Sequence, residues 1–164
     1  MPDTELTTNR SRLVTWHDPA WLTDAAAALS GREFLQALVE GRLPAPPMAE
    51  LIGARLVFVG DGEVRFAWTP DESTYNTIGM VHGGLLCTLL DFAAGAAVHT
   101  RLPAGVGFSS IEIKVSYLKH CGPTVATSTL TAERCRSAVA SPSPRRTPGT
   151  RPASSSATPA RRSP

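Results

Sequence analysis

The chain has 164 residues, of which 42% are hydrophobic and 18% charged, a length and composition typical of one globular domain. No apolar run reaches the roughly 18 residues that a membrane-spanning helix requires. The N-terminus lacks the basic-then-apolar layout of a secretory signal, so we expect a cytoplasmic protein. The three cysteines, Cys87, Cys121 and Cys135, form no paired spacing, which argues against a disulfide framework and against a zinc site.

The net charge of +2 conceals two segments of opposite sign. Residues 1–133 carry 9 basic and 14 acidic residues, a net of −5, whereas residues 134–164 carry 7 Arg and no acidic residue, a net of +7. The second segment also lacks Leu, Ile, Phe, Tyr, Trp and Met, so it is predicted to be disordered. Its Arg, Ser, Pro, Ala, Thr and Gly are what GC-rich codons give in a wrong reading frame. We interpret it as out-of-frame sequence; a natural basic tail is the alternative.

Local patterns predict the first elements of the chain. Residues 1–30 form an N-terminal extension compatible with a short helix. The stretch GREFLQALVEG places apolar residues on one face and stops at Gly41, which predicts a helix. The Pro-rich link after it leads into a short helical turn, with Pro47 suited to a first helical position. Two β-prone runs, ARLVFVG and EVRFAWT, are joined by Asp61-Gly62 and predict a β-hairpin.

A long helix is predicted from about Val81 to His99. It is apolar on nearly every side, which is typical of a helix buried on all sides. After a turn, FSSIEIKVSYLK alternates apolar and polar residues and predicts a half-buried strand near residues 108–118. The stretch TVATSTLTAE predicts a further strand near residues 123–133.

The long helix carries the candidate chemistry. Gly83 lies where the helix begins, so its backbone N–H is among the unpaired donors at the positive end of the helix dipole, and glycine permits close approach by another molecule. Asp91 lies eight residues further on, about 12 Å along the axis at 1.5 Å per residue. A reacting carbonyl needs its oxyanion donor and its base within about 3 Å. If both residues act, they must therefore come from different chains, and the small neighbours of Asp91 on the helix would allow a second helix to approach.

Each candidate residue also has an ordinary structural explanation. Asp91 alone could be a buried carboxylate satisfied by local hydrogen bonds, and His82 could be a packed or capping histidine. Asn76 and Gly79 fit turn chemistry, and Ser109 fits an unremarkable strand position.

Taken together, the N-x-x-G-x-x-H-G-G pattern from Asn76 to Gly84, Asp91 on the following helix and the stretch FSSIEIKVSYLK resemble the PaaI-type (phenylacetic-acid-degradation type) hotdog-fold acyl-CoA thioesterases over about residues 34–133. The resemblance implies an α+β hotdog fold, in which a long central helix is wrapped by an antiparallel β-sheet. It implies a homodimer or a dimer of dimers with active sites at the dimer interface. The hotdog domain would occupy residues 31–133 and be incomplete at its C-terminal end, because the family's last two strands are missing.

The resemblance also implies a role for each matched residue. Asp91 would be the general base or nucleophile toward the thioester, and the Gly83 N–H would polarise the carbonyl from the other subunit. His82 and Asn76 would position the carbonyl or the attacking water. Ser109 would orient that water or Asp91. Direct contact with substrate is expected of three further residues, Val81, Gly84 and Ser110.

The expected reaction is hydrolysis of an aryl or medium-chain acyl-CoA to the free acid and CoA. Because a thioester is already activated, a carboxylate and a helix-start amide suffice, and no metal or other cofactor is expected. The alternatives are a non-catalytic acyl-CoA-binding module on the same fold and an inactive truncated product. Neither nucleic acid nor a membrane is expected as a partner.

Overall fold

A computed structural model describes residues 9–118, 128–133 and 140–142. Its helices are α1 (Ala20–Ala28), α2 (Gly31–Val39), α3 (Pro47–Ile52) and α4 (Gly83–His99), with a 3-10 turn at Glu72–Thr74. Its strands are β1 (Ala54–Val59), β2 (Glu63–Trp68), β3 (Val106–Phe108), β4 (Ser128–Glu133) and β5 (Ala140–Pro142). Within these residues, no helix is both long enough and apolar enough to cross a membrane.

The two predicted short helices form where the sequence places them. Helix α2 begins at a capping box, in which Ser30 Oγ accepts from the Glu33 N–H and the Glu33 carboxylate accepts from the Ser30 N–H. The Glu33 carboxylate also accepts from the Ser30 hydroxyl, and the hydrogen bonds from that hydroxyl first and from the Ser30 N–H second hold the pKa of Glu33 below its ordinary value. Helix α3 has Pro47 at its first position, as expected, and ends at Gly53 in the left-handed conformation.

The predicted hairpin is also confirmed. Strands β1 and β2 pair antiparallel, with a bulge between Leu56 and Phe58, and Gly62 in the connecting turn has a φ of +75°. The turn is tied to the end of α4, because the Arg101 guanidinium forms an ion pair with Asp61 at 2.8 Å and the Gly62 N–H donates to Thr100 Oγ1 at 2.9 Å. Strand β4 pairs with the other edge of β2, which gives a sheet of order β1-β2-β4, and β3 pairs with β5.

Helix α4 packs one face against the three-stranded sheet. Ala93, Ala96 and Ala97 are buried against Val64 and Phe66. The prediction that this helix is buried on all sides is wrong for the single chain, since Leu90 is 36% exposed. The sheet of one chain covers one side of the helix and leaves the side that bears Leu90 open.

The predicted strand near 108–118 is the clearest departure from expectation. Strand pairing covers Val106–Phe108, and residues 109–118 form no regular element. Among the described residues no strand lies beside this segment, so its alternating apolar and polar residues are not held on the two faces of a sheet. Ile111 is consequently 87% exposed.

The later strands agree in part with the sequence-based expectations. Strand β4 covers the second half of the strand predicted near 123–133, while residues 119–127 lie outside the described residues. Strand β5, Ala140–Pro142, lies within the segment that was predicted to be disordered. The domain end at residue 133 stays a prediction, as does the out-of-frame origin of the residues after it.

Candidate functional site

The start of α4 presents one free backbone donor. His82 is the N-cap residue, and its Nδ1 accepts from the Gly84 N–H at 3.0 Å. The Gly83 N–H has no acceptor among the described residues. Because the His82 side chain satisfies one of the two adjacent amides, the Gly83 N–H is the donor that remains for a ligand at the positive end of the helix dipole.

Tyr117 is a neighbour of this helix start that the sequence did not single out. Its Oη donates to the Gly83 carbonyl at 2.8 Å, and its ring faces the Gly83 Cα, where an added Cβ would lie 3.4 Å from the ring. The alternating pattern of residues 109–118 placed Tyr117 on the apolar face of a strand, which gave no indication of a hydrogen bond to α4.

The loop before α4 uses Asn76 to build a turn. Asn76 Oδ1 accepts from the N–H groups of Ile78 at 3.0 Å and Met80 at 3.1 Å, and Gly79 takes a φ of +76°. Val81 is buried, at 5% exposure, and does not face solvent. In this chain the Asn76 side-chain carbonyl thus supports the loop that leads into the helix start, and the predicted contacts of Asn76 and Val81 with substrate stay predictions.

Asp91 is half-buried on α4 and has one hydrogen-bond partner among the described residues. Ser110 Oγ donates to Asp91 Oδ1 at 2.6 Å. Ser109, which was predicted to orient either the attacking water or Asp91, has no hydrogen bond among the described residues. The contact to Asp91 therefore comes from the adjacent serine, to which a contact with substrate had been assigned.

A cavity of about 620 Å³ opens beside the Asp91 carboxylate. Asp91 and Ser110 are part of its wall, and most of the remainder is apolar. Helix α2 contributes Phe34 and Leu38 to that wall, and α4 contributes Phe92. The carboxylate therefore stands beside an apolar space of a size that accommodates a small organic ligand.

The candidate residues form two separate groups within one chain. Asp91 and Ser110 border the cavity, whereas the candidate residues at or before the helix start do not border it: Asn76, Val81, His82, Gly83 and Gly84. Both groups belong to one continuous helix and the loops beside it, which keeps the Gly83 N–H and the Asp91 carboxylate about 12 Å apart along the axis. The described residues contain no group of three or more His, Cys, Asp or Glu side chains that could hold a metal ion.

Comparisons with known proteins identify relatives of this chain. A family model described as a domain of unknown function, DUF4442, matches residues 33–147. A protein of Halobacterium salinarum named "Putative esterase" is 33% identical over 88 residues, which are 51% of this chain and 58% of that protein. The chain thus spans less than two thirds of the length of that relative.

Two solved structures are similar to this chain. A Ralstonia eutropha protein described as a "putative thioesterase, phenylacetic acid degradation-related protein" matches with a TM-score of 0.51 and 22% identity, over 59% of this chain and 72% of that one. The E. coli PaaI protein from the phenylacetic acid degradation operon matches with a TM-score of 0.48 and 21% identity, over 63% and 69%. The first of these matches confirms the predicted hotdog fold.

Proposed function

The chain belongs to the DUF4442 family, and from this membership, the fold and the geometry of the site we propose that it is an acyl-CoA thioesterase that hydrolyses aryl or medium-chain acyl-CoA to the free acid and CoA. The observation that carries the proposal is the Asp91 carboxylate, which is hydrogen-bonded by Ser110 and stands at the wall of a largely apolar cavity of about 620 Å³. An apolar cavity suits an acyl group, and a carboxylate beside it suits attack on the carbonyl at the end of that group. The printed names of two similar proteins, one a "putative esterase" and one a "putative thioesterase", agree with the same class of reaction.

The chemistry requires one proton acceptor and one oxyanion donor. As a general base, Asp91 would take a proton from a water molecule while the water oxygen attacks the thioester carbonyl carbon. The tetrahedral oxyanion would then collapse with cleavage of the C–S bond, and the CoA thiolate would leave and receive the proton. As a nucleophile, Asp91 would instead form an acyl anhydride with release of CoA, and water would hydrolyse that anhydride.

We assign the oxyanion donor to Gly83 of a second subunit. Two observations support the assignment: the Gly83 N–H is unpaired among the described residues, and it is too far along α4 from Asp91 of its own chain to share one carbonyl with it. Ala94, a small residue three positions after Asp91 on α4, is exposed and would allow a partner to approach, whereas Gly95 packs against the Phe108 ring of its own chain. Two α4 helices related by a two-fold axis would bring each Gly83 N–H toward the other chain's Asp91.

The decisive experiment replaces Asp91 by Asn, which keeps the shape of the side chain and removes its ability to accept a proton. We expect acyl-CoA hydrolysis, followed as liberated thiol across a panel of acyl chain lengths and aryl groups, to fall about 10²- to 10⁴-fold. Asp24→Asn on α1 is the matched control, because Asp24 is exposed and remote from the cavity, and it should retain full activity. Hydrolysis by Asp91→Asn at the rate of the unaltered protein would remove Asp91 from the mechanism.

The same panel of acyl-CoAs distinguishes the proposed thioesterase from a non-catalytic acyl-CoA-binding module and from an inactive product. A non-catalytic acyl-CoA-binding module would bind acyl-CoA, as measured by calorimetry, without releasing thiol above the rate of the Asp91→Asn variant. An inactive product would do neither.

A further inference from the structure

The cavity beside Asp91 extends to a second polar residue at the far end of the same helix. His99 is the last residue of α4 and part of the cavity wall. It lies eight residues beyond Asp91, which is about 12 Å along the helix axis. A ligand that contacts both residues would therefore extend over about 12 Å of the helix.

The His99 ring stands in an aromatic environment. Its centroid lies 5.3 Å from that of Phe34 on α2 and 5.4 Å from that of Phe108 on β3, both in tilted arrangements. Burial among these rings lowers the pKa of His99, so the imidazole is uncharged at neutral pH and has one N–H donor and one acceptor nitrogen.

Neither ring nitrogen of His99 has a hydrogen-bond partner among the described residues. The other polar side chains of the described cavity wall are Arg55, Asp91 and Ser110. Arg55 and Ser110 are exposed, and Asp91 accepts from Ser110. His99 is thus the polar group with unused hydrogen-bonding capacity in the apolar part of the cavity, remote from the carboxylate.

We propose that His99 determines substrate specificity by hydrogen-bonding a polar group at the distal end of the acyl chain, so that the preferred substrates are medium-chain acyl-CoAs with a hydroxyl at the chain end remote from the thioester. The inference rests on the proposed thioesterase function, because it takes the thioester end of the ligand to lie at Asp91. The physical reason is that an unpaired polar group in a mostly apolar cavity gains a hydrogen bond from such a ligand and gains none from its apolar analogue. A net hydrogen bond of this kind changes kcat/KM by roughly tenfold.

The test compares one matched substrate pair, octanoyl-CoA and 8-hydroxyoctanoyl-CoA, in two proteins. We expect the ratio of kcat/KM for the hydroxylated member to that of its parent to be roughly tenfold higher in the unaltered protein than in His99→Phe. Phe retains a ring between Phe34 and Phe108, and His99→Gln, which keeps a donor and an acceptor, should keep part of the preference. Equal ratios in the unaltered protein and His99→Phe, with circular dichroism showing that both are folded, would overturn the proposal.

A binding measurement keeps this proposal separate from the proposed reaction. Calorimetric titration with the free acids, octanoic against 8-hydroxyoctanoic acid, needs no hydrolysis. If no thioester is hydrolysed but a hydroxy acid binds more tightly to the unaltered protein than to His99→Phe, the assignment of His99 stands and the proposed reaction falls. If thioesters are hydrolysed but neither assay shows a His99-dependent preference, the assignment of His99 falls and the reaction stands. Absence of both hydrolysis and acid binding would overturn both.

Discussion

Gly83→Pro would remove one backbone N–H from the start of α4 and change little else. Gly83 is the first residue of the helix, the position where proline is best tolerated because its ring already has the helical φ. His82 before it has φ −64° and ψ 127°, which is the extended conformation that a residue before proline requires. A Cβ at position 83 would lie 3.4 Å from the Tyr117 ring, an ordinary van der Waals contact.

The expected effect on activity follows from the role that we assign to that N–H. Removal of one oxyanion donor lowers kcat about 10²- to 10³-fold, while the melting temperature and the oligomeric state should stay those of the unaltered protein. Asp91→Asn should be similarly inactive. Each of the two variants alone therefore releases thiol slowly, which gives a low background for the experiment in which they are mixed.

Mixing the two inactive variants tests whether the site is shared between chains. If each site takes Gly83 from one subunit and Asp91 from the other, a dimer of one Gly83→Pro chain and one Asp91→Asn chain has one site with both defects and one intact site. Random reassortment of equal amounts makes half of the dimers mixed, so roughly a quarter of the activity of the unaltered protein should return.

The assay is thiol release after the two variants are unfolded together in denaturant and refolded, with each variant refolded alone as the control. Differently tagged chains and affinity purification would confirm that mixed dimers form. Mixed dimers with no activity above the parents would refute the shared site, and a fully active Gly83→Pro protein would remove Gly83 from the mechanism.

Three further changes test other contacts. Ser110→Ala should lower kcat roughly tenfold by removing a hydrogen bond to a charged acceptor that holds Asp91 in place, whereas Ser109→Ala should change it little; the reverse order in the thiol assay would favour the role first predicted for Ser109. Gly31→Ala should lower the melting temperature, with a loss of about 1–3 kcal/mol or more from overpacking, because its Cβ would lie 1.8 Å from the His99 carbonyl oxygen; a raised melting temperature would contradict this packing. Because burial lowers the pKa of folded His99 from its ordinary 6.5, its contribution to stability is present above that pH and is lost as the pH falls. The unfolding free energy of His99→Phe, measured in denaturant between pH 5 and 8, should therefore decline less on acidification than that of the unaltered protein.

The parts of the fold that follow from local physics were predictable from the sequence. Asp61-Gly62 between two β-prone runs specified the β1-β2 turn, since Gly62 takes a positive φ that few other residues adopt. Pro47 marked the start of α3, where its missing N–H costs nothing. The extent of α4 was also readable, because an apolar run preceded by His-Gly-Gly contains no residue that would end a helix before His99.

The contacts made by residues 109–118 were not predictable from the same evidence. Alternation places odd-numbered and even-numbered residues on opposite faces only when a segment is a regular strand. Here Ser110 and Tyr117 both reach α4, although their odd separation would place them on opposite faces of a strand. The choice between Ser109 and Ser110 thus depended on the path of a segment that pairs with none of the described strands.

The cavity and His99 depended on tertiary packing. The wall combines Phe34 from α2, Phe108 from β3 and His99 from the end of α4, which are far apart in sequence. No spacing rule relates these three positions. From the sequence alone, a histidine at the end of a helix that binds a ligand cannot be told apart from one that only stabilises the helix by interacting with the negative end of its dipole.

The open side of α4 and the segment after β3, which pairs with no strand that the structure describes, have one common explanation in the proposed dimer. Leu90 is 36% exposed and Ile111 is 87% exposed in the single chain, and each lies next to a residue of the Asp91–Ser110 pair. Exposed apolar side chains beside a functional group favour burial against a partner, since a contiguous apolar surface is costly to leave in water. A second α4 on this side would cover Leu90, exclude water from the carboxylate and bring the unpaired Gly83 N–H toward it. The same contact would then stabilise the fold and complete the site, so weakening it by Leu90→Glu should lower both dimer stability and thiol release together.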